Sequence, residues 1–404
     1  MPYIRTIDKF NFSVVLFSIL VVVSGTSFAS EGFIKLKPKI SVKETYNDNI
    51  DFTTRDELSD FLTTYTPSIT ISRDTEGSRI EMGASAQIED YMEEDHLDNV
   101  SQYYNLGFDG NLSSFFTLNL DGSYIQDTTL ENELIETGLI YAQSERETFR
   151  LGPGFTWRLS NIDSISFNSG YTDRLYETEI YTDYRNYDYV LSWSHVLSLE
   201  GTSLSVSTGY NNTDYDTSKL ETLSLYSGLN LPLDPKWELN FWAGIRYTIS
   251  EYDNLVLRLD PSTLTFYLDN EEKTESNWGG IGNLSIKRHF ERGSISGELS
   301  RDIVPTGRGE LVVRDRARVI LVYRLTDLLT GNLRGAWTES KSESSYRDTD
   351  EAFYSFTSSL RYRVWKNVNA GLSFTHSERE NRRSDNEAYK NLVFVQITAF
   401  WDKL

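Results

Sequence analysis

Basic side chains recur at alternate positions in two segments that lie far apart in the chain. Lysines occupy the first segment, near the N-terminus, and arginines occupy the second segment and the stretches that follow it. The residues are Lys35, Lys37, Lys39, Lys43, Arg314, Arg316, Arg318, Arg324, Arg334, Arg361 and Arg363. Because residues two apart share a face of an extended strand, each segment presents a row of positive charge. Such a row holds and guides anions, and the low-dielectric walls of a narrow channel strengthen its field.

Acidic side chains of matching parity come from the segments between these two rows. They are Glu81, Glu89, Asp109, Asp121, Asp188 and Glu238. If the last strand closes against the first, the basic rows share one arc of the wall and the carboxylates lie elsewhere, with Arg150 and Arg158 interrupting the acidic side. We therefore predict a lumen that is polarised across its width. The alternative is a plugged or structural barrel in which these charges neutralise one another.

Strands must position these rows, because apolar and polar residues alternate over about ten positions at a time. In the segment 148–159, Phe149, Leu151 and Trp157 share one face and Arg150 lies on the other. Similar segments are centred near 34–46, 62–72, 79–91, 102–112, 115–126, 147–159, 164–173, 186–197, 202–212, 220–231, 237–248, 278–288, 293–303, 310–325, 328–338, 352–364, 367–376 and 389–401. The pattern predicts an all-β fold, a closed transmembrane antiparallel β-barrel of about 18 strands, with about 16–18 as the range.

The connections between these segments alternate in length. Tight turns separate longer polar stretches at 127–146, 174–185, 249–277 and 339–351. Short periplasmic turns and long extracellular loops are typical of transmembrane barrels. The segment 249–277 is the candidate plug of the lumen, because it is long and has an apolar middle. That middle contains Leu255, Val256, Leu257 and Leu259.

Aromatic residues mark both ends of the apolar faces. Tyr247 and Trp278 fall toward the long loops, whereas Phe116 and Trp157 fall toward the short turns. Two such bands match the girdles that Trp and Tyr form at the two membrane interfaces.

The last predicted strand alternates up to an aromatic residue close to the C-terminus. Its apolar positions are Val393, Val395, Ile397, Ala399 and Trp401. We interpret this pattern as the terminal signal by which outer-membrane barrels are recognised for assembly, although three residues follow the aromatic one.

The N-terminal stretch differs in composition from the rest of the chain. Basic residues, an apolar run over 14–23 and small side chains at Ser27 and Ala29 follow one another, as in a secretory signal peptide. We predict a signal peptide over 1–29 and one barrel domain over 30–404. An uncleaved anchor is the alternative, although the run is shorter than the ~20 residues that span a bilayer as a helix.

The composition disfavours several other functions. The 404-residue chain has a net charge of −21, which argues against nucleic-acid binding, and it has no cysteine for a disulfide framework. Its four histidines belong to no nucleophile or metal motif, so we predict no catalytic residue, cofactor or metal site. Acidic clusters near 89–98 and 131–147 could attract divalent cations, but they lack ligand spacing and favour a solvated surface.

Three segments after the leader carry a family resemblance. The stretches 44–50 (Glu-Thr-Tyr-Asn-Asp-Asn-Ile), 56–61 and 65–69 resemble the opening of outer-membrane β-barrels found with exopolysaccharide biosynthesis loci. The resemblance covers roughly residues 40–90. It implies a porin-like barrel that exports or anchors a surface polysaccharide.

Three functions are compatible with these features. The leading hypothesis is a passive conduit in the cell outer membrane for an exopolysaccharide or another anionic solute. The second is a general diffusion porin, and the third is a non-conducting structural barrel whose acidic loops bind matrix or envelope partners. The expected partners are outer-membrane lipid and lipopolysaccharide, the barrel-assembly machinery, and an exopolysaccharide with its export proteins.

Overall fold

The structure is a computed structural model that describes residues 33–129, 136, 137, 139, 143–197, 201–260, 265–343 and 349–401. The signal peptide predicted over 1–29 lies outside the described residues and stays a prediction.

Eighteen antiparallel strands form one closed sheet. Their bounds are β1 Phe33–Asn47, β2 Asp60–Asp74, β3 Ser78–Tyr91, β4 Asn99–Asn111, β5 Phe116–Thr128, β6 Glu145–Arg158, β7 Asp163–Tyr176, β8 Tyr184–Val196, β9 Ser203–Tyr215, β10 Ser218–Asp234, β11 Trp237–Asp260, β12 Thr265–Phe290, β13 Gly293–Pro305, β14 Leu311–Arg324, β15 Leu329–Ser342, β16 Asp350–Trp365, β17 Val368–Asn381 and β18 Asn386–Phe400, with a 3-10 turn at Asp95–Leu97 between β3 and β4. Each strand pairs with its neighbours in the chain, and β1 closes the ring by pairing with both β2 and β18. The predicted closed barrel is therefore confirmed, at 18 strands.

Side-chain alternation decides which face of each strand looks outward. On β18, Val393, Val395 and Ile397 are 41–57% exposed, while Gln396 turns inward and donates to Ser41 Oγ at 2.6 Å. Large apolar side chains exposed in this way recur around the ring and form an apolar belt. Closure leaves no sheet edge for lipid to satisfy within this belt, which is the requirement for spanning a bilayer with strands. No helix among the described residues is both long and apolar enough to cross a membrane.

The C-terminal strand has the alternation that the sequence predicts. Ala399 shares the outward parity of the valines before it, and β18 ends at Phe400. Trp401 follows directly, and its backbone N–H donates to the Pro38 carbonyl oxygen at 3.0 Å. A role for these residues in assembly stays a prediction.

The two ends of the barrel differ in the length of their connections. Turns such as 235–236, 291–292 and 366–367 join the strands at one end, and connections such as 48–59 and 129–144 join them at the other. We call these the short-turn end and the outer end. The longest connections therefore lie at one end, as predicted, although that end also contains the two-residue connection 216–217. That the short turns are periplasmic and the long loops extracellular, as in transmembrane barrels, stays a prediction.

The segment 249–277, however, was wrongly predicted to be a long loop. It belongs to β11 and β12, which pair continuously as far as Asp260 opposite Thr265. The physical reason is that each strand supplies the backbone partners of the other, so the ladder continues beyond the level of Ser218, where β10 begins. The side chains of the apolar middle, Leu255, Val256, Leu257 and Leu259, lie outside the described residues.

A charge placed in the apolar belt tests the assignment of faces. Leu372 on β17 is half-exposed and lies between Leu360 and Val395 on the neighbouring strands. We expect Leu372→Arg to lower the free energy of unfolding by about 2–4 kcal/mol, because it buries a charge in lipid. Thr375→Arg, on the inward face of the same strand, is the matched control and should cost about 1 kcal/mol. Urea unfolding in vesicles, followed by tryptophan fluorescence, measures both, and equal losses would contradict the assignment.

Candidate functional site

The register turns the predicted charged residues away from the apolar belt. On β14, Val319 and Tyr323 are exposed on the belt, so Arg314, Arg316 and Arg318, which have the opposite parity, face the lumen. The same parity argument places inward Lys35, Lys37, Lys39, Lys43, Arg324, Arg334, Arg361, Arg363, Glu81, Glu89, Asp109, Asp121, Asp188 and Glu238. Their part in conduction stays a prediction.

Carboxylates of β13 neutralise part of the basic row on β14. Arg318 Nη2 lies 2.5 Å from Glu298 Oε2, and Arg314 Nη2 lies 2.6 Å from Asp302 Oδ2. Both pairs join residues that stand directly opposite each other in the β13–β14 ladder. The predicted division into a basic and an acidic wall therefore does not hold on this arc, because cross-strand pairing places each of these carboxylates beside an arginine.

A group of arginines lies on the wall that was predicted to be acidic. Glu136, in the connection between β5 and β6, is surrounded by the guanidinium groups of Arg174 at 2.8 Å, Arg146 at 3.3 Å and Arg150 at 3.4 Å. Arg146 also binds Asp127 through two hydrogen bonds of 2.9 Å, and both side chains are buried. Only Arg150 was singled out from the sequence, as an interruption of the acidic side.

Three residues of the same connection cross the lumen, and we call Glu136, Thr137 and Leu139 the Glu136 segment. Arg314, on the opposite side of the ring, donates to the backbone carbonyl oxygen of Glu136. Ser340 of β15 donates through Oγ to the carbonyl oxygen of Thr137 at 2.6 Å. Since the Glu136 carboxylate meets β6 and β7 while its backbone meets β14, the segment narrows the lumen at this level.

A cavity of about 410 Å³, which we call the arginine cavity, lies beside the Glu136 segment. Its lining includes Arg150 and Arg174 from one wall and Arg314 and Arg316 from the other. In the part of the chain that the structure describes, five guanidinium groups, counting Arg146, meet the three carboxylates of Glu136, Asp127 and Asp302. The excess of positive charge and the forked guanidinium donors suit a carboxylate or phosphate group.

The Glu136 carboxylate holds the arginines together at neutral pH. Burial acts to raise the pKa of Glu136, but the charges of Arg174, Arg146 and Arg150 outweigh burial and lower that pKa below its ordinary value. Because the pKa is lower in the folded state, the stabilisation is fully present above the ordinary pKa of a glutamate. It is lost only as the pH falls through the lowered value.

The connection 306–310, between β13 and β14, enters the lumen from the outer end. Tyr215 donates through its hydroxyl to two backbone carbonyl oxygens of this connection, at 2.9 and 3.3 Å. Ser218 Oγ donates to a third at 3.1 Å, and the backbone N–H of Thr182 donates to a fourth at 2.6 Å. Gly309 takes a φ of +77°, which glycine adopts without steric cost, and so allows the tight reversal.

Apolar packing completes the closure of the outer end. Leu311, directly after this connection, belongs to a buried cluster with Tyr176, Tyr181, Tyr184, Tyr215 and Leu220. On the other side, Phe52 of the connection 48–59 is 1% exposed and meets Phe353 edge-on at 6.2 Å. Lys390 Nζ donates to the carbonyl oxygen of Ile50 at 3.3 Å.

The sequence carried a signal for some of these residues. Arg146 and Arg174 have the same inward parity as Arg150, so alternation could have placed them in the lumen. No period marks Glu136 or the connection 306–310, because both lie outside the strands.

The comparisons with known proteins concern the architecture. No family model matches the chain, and no curated protein matches it. The siderophore receptor PirA from Pseudomonas aeruginosa is 12% identical over 92% of this chain and 81% of that chain, with a TM-score of 0.44. The open form of the ferric-catecholate import receptor Fiu from E. coli K12 is 8% identical over 92% and 82%, with a TM-score of 0.48. Pseudomonas aeruginosa OpdK with vanillate is 8% identical over 91% and 99%, with a TM-score of 0.46.

These likenesses are of strand architecture alone and say nothing of what this chain binds. The closed ring, the apolar belt and the charged interior make the chain an outer-membrane β-barrel with a porin-like architecture. The resemblance to barrels of exopolysaccharide loci stays a prediction.

A single cysteine can test how the Glu136 segment is held, because the chain has none of its own. Thr137 is 2% exposed, so Thr137→Cys should react slowly with a hydrophilic maleimide. Adding Glu136→Gln removes the charge that holds three arginines, and we expect labelling to become about tenfold faster. Glu298→Gln, which loses its ion pair with Arg318 on the other wall, is the matched control. Equal acceleration by both changes would contradict a specific role for Glu136.

Acid should release the same segment. The backbone N–H of Leu139 donates to Thr137 Oγ1 at 3.2 Å, which makes it a reporter for hydrogen exchange. We expect its protection, corrected for the intrinsic exchange rate, to stay constant down to about pH 5 and to fall below about pH 4. In Glu136→Gln the protection should be low at every pH. Loss of protection in the wild type above about pH 6 would show that another group titrates.

Proposed function

We propose that the protein is an outer-membrane channel that conducts anionic solutes. The arginine cavity carries this proposal, because guanidinium groups from opposite walls outnumber carboxylates among the residues described where the Glu136 segment narrows the lumen. An ion that passes this level loses part of its hydration shell and gains contacts with protein groups in its place. Fixed positive charge in a low-dielectric wall favours that exchange for anions over cations.

A second group of arginines supports an anionic route from the short-turn end. A cavity of about 350 Å³ there is lined by Arg324, Arg361 and Arg363, and Asp327 is the one carboxylate among the described residues of its lining. Anions that enter this end therefore meet an attractive field before they reach the arginine cavity.

The cavity volume bears on the kind of solute. About 410 Å³ lies in the range of small-molecule sites, so the arginine cavity suits a small carboxylic acid or a single acidic sugar unit. An exopolysaccharide, which the resemblance of residues 44–50 and 56–61 favours, would pass as a single chain with one acidic unit in the cavity at a time.

A non-conducting structural barrel is the second candidate. The buried tyrosine cluster around Leu311 and the buried Phe52 favour it, because both fill the outer end with apolar side chains. A general diffusion porin has less support, since a wide and weakly selective lumen does not need a segment that crosses it.

Ion selectivity in planar bilayers tests the proposal. We expect the wild-type channel to prefer chloride to potassium, as read from the reversal potential in a salt gradient. The double variant Arg150→Gln, Arg316→Gln removes one charge from each wall of the arginine cavity. It should lower the permeability ratio about fivefold, the equivalent of about 1 kcal/mol.

Arg185→Gln is the matched control, because Arg185 lies on the outward face of β8 and pairs with Asp173 at 3.5 Å. It should leave the ratio unchanged. Cation selectivity of the wild type would refute the proposal, and a complete lack of conductance would favour the structural barrel.

Block of the current by uronic acid oligomers separates a polymer from a small solute. Block that strengthens with oligomer length would support passage of an acidic polysaccharide. Equal block by the monomer and the longer oligomers would favour small carboxylates.

A further inference from the structure

The wall of the barrel splits between β12 and β13. Their ladder stops where Gly282 stands opposite Arg301, yet both strands remain extended beyond that point, β13 as far as Pro305. The same register, continued, would place Gly280 opposite Ile303. The structure describes both strands here, but Gly280 and Ile303 are not paired, and neither are the residues beyond them.

Beyond the split, β13 remains with β14. Their pairing continues to Pro305 opposite Leu311, so residues 301–315 form a hairpin, which we call the gate hairpin. The hairpin bends into the lumen together with the end of β15, which stays paired with β14 as far as Val312 opposite Ser342. There its connection is held by Tyr215, Ser218 and Thr182, and Leu311 joins the tyrosine cluster.

The gate hairpin separates two cavities. The arginine cavity lies on one face, where the hairpin contributes Val304, Pro305 and Arg314 to its lining. A cavity of about 310 Å³ lies on the other face, between Val313 of the hairpin and Gly279 and Gly280 of β12. This second cavity occupies the split in the wall, and the guanidinium group of Arg246, which pairs with Glu343 at 2.6 Å, lies over Gly279.

We propose that the gate hairpin is a movable gate with two positions. In the position seen here it fills the outer end of the lumen. In the other it returns to the wall, continues the β12–β13 ladder in its existing register and opens the outer end above the arginine cavity. Pro305 lacks a backbone N–H and forms a natural end to that ladder. The gating role rests on the proposed function, since it requires a lumen that conducts.

The backbone of the hairpin has hydrogen-bond partners in both positions. In the lumen the carbonyl groups of its connection 306–310 accept from Tyr215, Ser218 and Thr182, and in the wall the backbone groups of 302–305 pair with β12. A two-position element of this kind responds to any ligand that binds one position better. An anion that binds Arg314 competes with the carbonyl oxygen of Glu136 and thereby weakens the inward position. The solute is therefore also the signal that opens the gate.

Cysteine cross-linking detects the wall position directly. Directly opposed strand residues lie close enough for a disulfide, and the chain has no other cysteine. Gly280→Cys with Ile303→Cys should cross-link under a mild oxidant in vesicles. Leu284→Cys with Leu299→Cys, which are paired already and belong to the same class of opposed pair, is the positive control. Ile281→Cys with Ile303→Cys is out of register and should cross-link much more slowly.

A conservative variant tests the inward contacts. Tyr215→Phe removes the hydroxyl that donates to two carbonyl oxygens of the hairpin and keeps the ring in its cluster. We expect it to speed the cross-linking of the Gly280→Cys, Ile303→Cys pair about fivefold. Tyr226→Phe, on the inward face of β10 against Trp242, is the control and should have no effect. No cross-link with or without Tyr215→Phe, while the Leu284–Leu299 control pair closes, would overturn the proposal.

Conductance of the cross-linked channel then tests the gating role. Locking Gly280→Cys to Ile303→Cys should raise the single-channel current severalfold, and dithiothreitol should reverse the rise. A cross-link that forms without a change in current would overturn the gate. Cross-linking is read on a gel and the gate from current amplitude, whereas the proposed function is read from ion selectivity. A failure of one is therefore distinguishable from a failure of the other.

Discussion

Backbone hydrogen bonding in lipid is the constraint on which the rest of this structure depends. A strand in a bilayer finds no water for its N–H and C=O groups, so every strand in the apolar belt needs a partner on both sides. The ring meets this requirement by pairing β1 with β18. The split between β12 and β13 begins at Gly282 opposite Arg301, near the outer edge of the belt. Leu299 is the last apolar residue on the outward face of β13 before the charged Arg301. Ile245 of β11 and Trp278 of β12 are still exposed beyond Gly282, so the split lies within the outer edge of the belt.

The free-energy cost of burying charged groups determines how side chains are arranged in the lumen. Arg146 and Asp127 are almost fully buried, and such groups are tolerated only when each finds a partner. The Glu136 segment supplies the remaining acceptors through one carboxylate and one backbone carbonyl. A constriction built from ion pairs differs from one built from apolar packing in one functional respect. An anionic solute offers the same acceptor chemistry and can replace the protein groups without leaving a guanidinium unpaired.

Local periodicity explains which parts of this molecule could be predicted from the sequence. Strand geometry makes side chains alternate with a period of two. That period in the sequence therefore locates the strands, identifies their inward faces and gives the number of strands. It fails for 249–277, where β11 and β12 pair beyond their neighbours, and for Glu298 and Asp302, whose ion pairs depend on register. The period of two gives no information on the connections between strands. Whether Glu136 and 306–310 fold inward is decided by partners from distant strands, and no spacing in the chain encodes those contacts.

One element joins selectivity to closure. β14 carries Arg314 and Arg316 on its lumen face, and the same strand begins with Leu311 in the cluster that fills the outer end. Movement of this strand out of the tyrosine cluster therefore also moves its arginines relative to Glu136. A loop that merely covered the outer end would leave the arginine cavity unchanged when it opened. Under the proposed function, the groups that would bind an anion lie on the element that fills the outer end, so binding and opening would be coupled through a single hairpin without a longer chain of contacts.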